Sequence, residues 1–444
     1  MDKIKPKNSY AAAEKFILSR EFFGMKLGLE NISAFLDSIG SPQTKYKTIH
    51  IAGTNGKGSL AAMLDSILRA AGYKTGLFTS PHLVNLRERV RVNGRKIPIS
   101  SVAAFINRYR PELVKRKLSF FEVVTALAFY YFQRAGIDVA VIETGLGGRL
   151  DATNVLSPLL TIVTDISRDH VEILGSSLKK IAWEKAGIIK PTAPHLIGLL
   201  PAEAERVMRA QCRKREVRFY RLGKWEFKIH RRTMQLDFMS DGLTLERFSP
   251  RLYGLHQLKN SALALKAVTI LNEDGLSISN EAAHEGLIQT HWPGRFQVVE
   301  RQGKPTLVFD VCHNASGMAA FVKSFKIRFP DKKAYVITGF VKRKDHQAMF
   351  NSLAAIAKQF AVVPLRTRRS TDLKMLFANI DWPSVPVQRY GSLNSAYRRL
   401  LKTCQPDDII IIIGSHFLVG EFFEKFGSGW PVPQKPQHQK LPQK

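Results

Sequence analysis

The stretch His50-Ile-Ala-Gly-Thr-Asn-Gly-Lys-Gly-Ser59 limits what this chain can fold into more than any other. The apolar run Thr48 to Ala52 reads as a buried strand. Glycines at 53, 56 and 58 read as a loop, and Leu60 to Ala70 as an amphipathic helix stopped by Gly72. A strand, a glycine-rich loop and a helix N-terminus together form an anion cradle. Backbone N–H groups point inward, the helix dipole adds positive potential, and missing side chains let phosphate approach the backbone. Thr54, Asn55, Gly56, Lys57, Gly58 and Ser59 are therefore the candidate nucleotide contacts. Lys57 is suited to the β/γ-phosphates and the Ser59 hydroxyl to Mg²⁺. The spacing departs from the common Gly-x-x-x-x-Gly-Lys-[Ser/Thr], because Gly58 separates Lys57 from Ser59 and the first glycine lies three positions before Gly56. A bare glycine turn would not need lysine, hydroxyl and helix in that order.

Further strand ends carry chemistry-bearing residues. Lys74 to Thr79 reads as a strand ending in Ser80-Pro-His82, followed by a polar, basic loop, Asn85 to Arg95. Ser80 stands where open α/β sheets bind ligands, although a Ser-Pro turn explains it equally. Phe120 to Ala135 reads as a helix, and Asp138 to Glu143 as a buried strand ending in a carboxylate placed to orient Mg²⁺. A second glycine-rich loop, Gly145 to Asn154, carries Arg149, which suits an anionic group. Leu159 to Thr164 is another strand, followed by Asp165, Asp169 and His170. Lys179 to Ala186 reads as a helix before Gly187, with Lys185 where the dipole favours a cation. Strands then alternate with helices to about residue 290. Tyr253 to Asn260 opens a helix, Ser261 to Leu271, where Asn260 can approach a nucleotide or simply cap the helix. Upstream, Phe22 to Gly40 reads as a turn and then a helix.

A length of 444 residues predicts two domains. The Pro-Gly pair in His291-Trp-Pro-Gly-Arg-Phe296 marks the boundary. Beyond it, strands at Thr306 to Asp310, Ala334 to Gly339, Phe360 to Pro364, Val385 to Arg389 and Ile409 to Gly414 alternate with helices, a second doubly wound unit. The reading is thus α/β: a P-loop ATPase domain with a mostly parallel sheet over 1–292, a smaller Rossmann-like α/β domain over 297–430, and a disordered Pro/Gln/Lys tail over 431–444. The longest apolar run, Ile409 to Ile413, cannot span a bilayer, and the first residues carry no apolar signal segment. Three scattered cysteines without a zinc pattern fit a reducing cytoplasm. The net charge of +30 is concentrated at Arg206 to Arg232, where Arg206, Arg209 and Arg213 share helical spacing. Without a nucleic-acid fold signature, that charge reads as a solvated face or as attraction for anionic substrates.

Taken together, the motifs resemble those of the folylpolyglutamate synthase/dihydrofolate synthase family of the Mur-ligase superfamily. They are Gly53 to Ser59, Thr79-Ser-Pro-His-Leu83, Glu88-Arg89 with Val92-Asn-Gly94, Glu143 to Asn154, Asp169-His170, Glu184 to Lys190 and Pro293-Gly-Arg295. The resemblance runs from about residue 22 to about 425. It implies ATP-dependent joining of L-glutamate to dihydropteroate or a folate through an acyl phosphate, by a cytoplasmic monomer with no membrane or nucleic-acid partner. It also implies ATP and two Mg²⁺ sites. Ser59, Ser80, Glu143, His170 and a carbamylated Lys185 serve as metal ligands; Asn260, Arg295 and Asp310 bind ATP. Thr125, Asp151 and Ala152 lie at the pterin, Ser80, His82 and Arg149 are further substrate contacts, and His313 and Ser415 face the inter-domain cleft. Lys57, His170, Lys185 and His313 are the catalytic candidates. Three stretches depart from the family pattern. Asp310-Val-Cys-His-Asn-Ala315 replaces Asp-Gly-Ala-His-Asn-Pro, Arg343-Lys344-Asp345 replaces Asp-Lys-Asp, and Gly414-Ser-His-Phe417 replaces Gly-Ser-Leu-Tyr. The competing readings are a UDP-sugar amino-acid ligase of the same superfamily and a nucleic-acid-associated P-loop protein.

Overall fold

Strand β1 (Lys47–Ala52) is the pivot of an eight-stranded sheet in the computed structural model, which describes residues 6–23 and 28–427. The other strands are β2 (Thr75–Phe78), β3 (Val90–Val92), β4 (Arg95–Lys96), β5 (Val139–Glu143), β6 (Leu160–Val163), β7 (His195–Ile197) and β8 (Phe219–Arg221). Their order is β4-β3-β2-β5-β1-β6-β7-β8, antiparallel only where β3 meets β2 and β4. Five consecutive residues of β1 are buried because helices cover both faces of the sheet, and a strand sealed on both sides reads as a continuous apolar run. One face packs on the helices Lys57–Ala70 and Leu255–Glu273, the other on Ile99–Lys115 and Phe120–Ala135.

A three-stranded antiparallel sheet, β9 (Phe227–His230), β10 (Gln235–Ser240) and β11 (Leu243–Phe248), packs on Leu255–Glu273 through Leu236 and Phe238. The expected alternation of strands and helices up to residue 290 therefore fails here, because short turns at Thr233 and Gly242 return the chain directly to its neighbour. The supposed loop at Asn85 to Arg95 contains the β3–β4 hairpin, with Asn93 and Gly94 both at positive φ in its turn. The helix expected from Leu60 starts at Lys57, capped by Gly56 at φ +85. That expected from Ser261 starts at Leu255, which places Asn260 inside the helix rather than at its entry.

The second unit is a six-stranded sheet in the order β12-β13-β17-β14-β15-β16. Its strands are β12 (Gln297–Arg301), β13 (Lys304–Asp310), β14 (Ala334–Thr338), β15 (Ala357–Val362), β16 (Val387–Arg389) and β17 (Ile409–Ile413). The five isoleucines of β17 are all buried, as a central parallel strand requires. The antiparallel edge strand β12 was not anticipated from the sequence. Of the turn and tail read from sequence, residues 24–27 and 431–444 lie outside the described residues. Among the described residues no helix is long and apolar enough to cross a membrane.

Helix Asn280–Gln289 lies so close to Lys57–Ala70 that a Cβ on Gly286 would stand 2.3 Å from Ile67 Cα. Gly286→Ala must push two backbones apart. It is expected to cost about 1–3 kcal/mol, read as a lower urea midpoint at unchanged m.

Candidate active site

Strands β2, β5, β1 and β6 are consecutive neighbours, so the loops leaving their carboxyl ends emerge side by side. This alone brings Ser80, Glu143, the glycine loop and Asp165–His170 together from across residues 53 to 170 of the sequence. In the second sheet β13 and β17 are also neighbours, which sets Asp310–His313 beside Ser415 and His416. The two sheet ends face each other across one cleft holding two cavities, of about 400 and 450 Å³.

The glycine loop is shaped by close approach. A Cβ on Gly53 would stand 1.9 Å from Thr164 Oγ1, and one on Gly56 2.9 Å from Asn260 Oδ1. Thr54 bonds Ser167 in both directions, its hydroxyl to the Ser167 carbonyl and from the Ser167 N–H. Ser59 Oγ accepts from Gln257 Nε2 at 3.2 Å, and Asn260 Nδ2 donates to Gln257 Oε1 at 3.1 Å. The Lys57 ammonium folds back on the Gly53 carbonyl at 3.1 Å, and Lys185 Nζ reaches the same oxygen at 2.7 Å. Lys185 is 3% exposed. Burial, and then the nearby Lys57, lower its pKa to about 7.

Glu143 is 4% exposed, and its Oε2 accepts the Ser80 N–H at 2.9 Å across the cis Ser80–Pro81 turn. Burial raises its carboxyl above the usual range, against the pull of Lys57, Ser80 N–H and Arg295. Arg295 sits opposite with its Nε buried and unpartnered, so an anion has a donor waiting. His170 adopts φ +50, and burial lowers its pKa. Asp169 joins the domains: it pairs with Lys344, accepts from Asn314 Nδ2 at 3.3 Å and lies 3.7 Å from His313 Nε2. Burial would raise its carboxyl, but His170, Lys344 and His313 outweigh that and hold it well below the usual range. Asn55 adds a second link, accepting from Asn314 Nδ2 at 2.9 Å and donating to Ser316 Oγ at 3.0 Å.

The first cavity gathers Thr54 to Ser59, Ser80, Glu143, His170, Lys185, Asn260, Arg295, Asp310 and His313 on its walls. Both Asp310 oxygens already accept backbone N–H groups, from Phe296 at 2.9 Å and Cys312 at 2.7 Å. Six of the residues singled out from sequence line neither cavity. Thr125 is fully buried with an unpartnered hydroxyl, and Ala152 is buried. Asp151 is used by Leu146 N–H and Thr153, and its carboxyl is raised by burial. Arg149, expected to meet an anionic substrate, instead pairs with Glu184 at 3.0 Å and stacks on Trp183. His82 Nδ1 accepts from Arg89 Nε, and burial and Arg89 push its pKa down to about 4. Ser415 caps the helix His416–Phe426. Sequence reasoning missed Gln257 and the Asp169–Lys344 link. The Gln257-x-x-Asn260 spacing on one helix face was the available signal for the first; for the second there was none, because partners 175 residues apart leave no local pattern.

Mg²⁺ prefers hard oxygen ligands and keeps some of its water and phosphate oxygens. Among the described residues, His, Cys, Asp and Glu nowhere form a group of three able to hold a metal ion. The Glu143 carboxylate beside Ser80, facing unpartnered Arg295, fits an ion whose coordination is completed by phosphate.

Residues 51–268 match the Mur ligase middle domain and residues 294–416 the Mur ligase glutamate ligase domain. The chain is 32% identical over 430 residues to the dihydrofolate synthase/folylpolyglutamate synthase of Bacillus subtilis, covering 93% of this chain and 98% of that one. It is 35% identical to a probable bifunctional folylpolyglutamate synthase/dihydropteroate synthase of Haloferax volcanii, covering 93% of this chain but only 50% of that longer one. Mycobacterium tuberculosis folylpolyglutamate synthase complexed with ADP superposes with TM-score 0.87 at 29% identity, covering 97% of this chain and 100% of that one. A Yersinia pestis bifunctional folylpolyglutamate synthase/dihydrofolate synthase with Mn, AMPPNP and L-glutamate bound superposes with TM-score 0.83 at 27% identity, covering 94% and 98%. Fold and site together define a Mur-type ATP-dependent ligase. Within that class, the chain belongs to the folylpolyglutamate synthase/dihydrofolate synthase family.

Proposed function

We propose that this protein joins L-glutamate to dihydropteroate, to folyl (poly)glutamates, or to both, using ATP to activate the acceptor carboxylate. The observation that carries this reading is the meeting of two cavities at Ser80, Glu143 and Arg295, one bounded by the phosphate cradle and the other open for an acceptor. In the first step a carboxylate oxygen attacks the γ-phosphorus and ADP leaves. In the second the glutamate amine attacks the acyl carbon, and phosphate departs with the former carboxylate oxygen. Lys57 and Arg295 bind and neutralise the phosphates, while the glycine loop aligns them. Ser59, Ser80, Glu143 and His170 would hold divalent ions, which supply charge neutralisation at the transferring phosphoryl group. Lys185, carried as a carbamate, would add an anionic oxygen ligand. Asn260 and Asp310 orient the nucleoside, and His313 faces the other substrate groups across the cleft.

ATP, glutamate and either dihydropteroate or tetrahydrofolate are expected to give ADP release only when all three substrates are present. Equal ADP release without acceptor and glutamate would refute the ligase reading. Tight, salt-steep binding of RNA without pterin-dependent turnover would favour a nucleic-acid role, and calorimetric binding of a UDP-sugar instead of a pterin would favour the other ligase.

A further inference from the structure

Six residues line both cavities: Gly58, Ser80, Pro81, Glu143, Arg295 and His416. Five have work in the reading above or shape the turn that does it. His416 has none. It stands in the first turn of His416–Phe426, directly after β17.

The ring lies 5.5 Å, centroid to centroid, from that of His313, and no hydrogen bond to it occurs among the described residues. The groups facing it are Arg295 from the domain linker, His313 from the loop after β13, Arg89 from the β2–β3 connection and Lys57 from the glycine loop. Burial and these cations all oppose protonation, as does the helix N-terminus on which the ring sits. His416 therefore offers an imidazole with one bare nitrogen among neighbours that are otherwise cationic or imidazole. The one carboxylate at the junction, Glu143, is already engaged by Ser80 N–H.

The amide-forming step needs such a group. As the amine nitrogen bonds to the acyl carbon, the carbonyl pair moves to oxygen. When that adduct collapses, the carbon–oxygen bond to phosphate breaks and the nitrogen, now carrying a surplus proton, must shed it. Resting on the ligase reading above, we propose that His416 receives the incoming amino group. Its bare nitrogen accepts the N–H hydrogen bond that aims the nucleophile at the acyl carbon, then takes the proton released as the amide forms. The departing phosphate, a stronger base, carries that proton away and leaves the ring neutral again.

The test separates the two half-reactions in the full chain. Hydroxylamine, small and neutral at pH 7, traps an acyl phosphate as hydroxamate without help from a protein base. His416→Leu is expected to slow glutamate ligation about 100-fold or more, the scale of a positioned acid–base group, while hydroxamate formation stays at the wild-type rate. His416→Gln, which keeps a hydrogen-bond acceptor but no basic nitrogen, is expected to hold KM for glutamate near wild type with kcat still low. Wild-type ligation by His416→Leu, or a parallel loss of hydroxamate formation, overturns the assignment. If the wild type itself releases no ADP in response to glutamate, the ligase reading fails, and the role of His416 with it.

Discussion

Glu143→Gln is expected to lower kcat by about 10³-fold, because it removes the charge set against Lys57 and Arg295 where the phosphoryl group moves. The substitution keeps the volume of the side chain, and an amide oxygen can still accept the Ser80 N–H now held at 2.9 Å. What disappears is a full negative charge in a site that is 4% exposed. Stability should move the other way. Burial raises this carboxyl, so the folded state resists its ionisation, and stability from this group declines as pH climbs above the ordinary carboxylate range. A neutral amide escapes that penalty. The expected result is a melting temperature at pH 7 equal to or above wild type, together with near-complete loss of turnover. A variant that unfolds, or one that turns over normally, contradicts the role.

Lys185→Met is the second large effect, an expected loss of about a hundredfold, the upper end of the scale for a group that supports a metal site. Its amine is lowered from 10.5 to about 7 by burial and by Lys57. At pH 8 most of the population is therefore neutral, whereas at pH 6 it is mainly ammonium. A neutral amine adds to CO2: the nitrogen–carbon bond forms, one proton leaves to water and a carbamate anion remains. Wild-type activity is expected to rise with added bicarbonate at pH 8 and to fall after dialysis against CO2-free buffer at pH 6. The unfolded chain binds the proton more tightly between the two pKa values, so the stability penalty from Lys185 is full below about pH 7 and fades toward 10.5. Methionine removes that penalty, and the melting temperature at pH 6 should not fall. Bicarbonate-insensitive wild-type activity would remove the carbamate from the account.

What was legible in the sequence follows from which interactions are local. The glycine loop, Glu143 at the end of β5 and His170 after β6 could be placed because strand, loop and helix are neighbours in the chain and the period of burial changes between them. Their convergence needed only the rule that ligands bind at the carboxyl ends of parallel strands. The β9–β11 meander was lost because its strands are short and alternate buried with exposed residues, so no buried run marks them. The early starts at Lys57 and Leu255 were missed because glycines at 56 and 254 cap those helices by backbone geometry, without a side-chain signature. Arg149 was misread because the chain did not reveal Glu184 as its partner. The inter-domain contacts of Asn55 and Asp169 depend on how two sheets face each other, which no window of sequence encodes.

Activation of a carboxylate by phosphoryl transfer at the junction of the two cavities is the central claim, and an isotope measures it directly. An acceptor labelled with ¹⁸O in its carboxylate should deliver one labelled oxygen to each inorganic phosphate formed with the amide. Unlabelled phosphate from a reaction that still makes product would contradict the account.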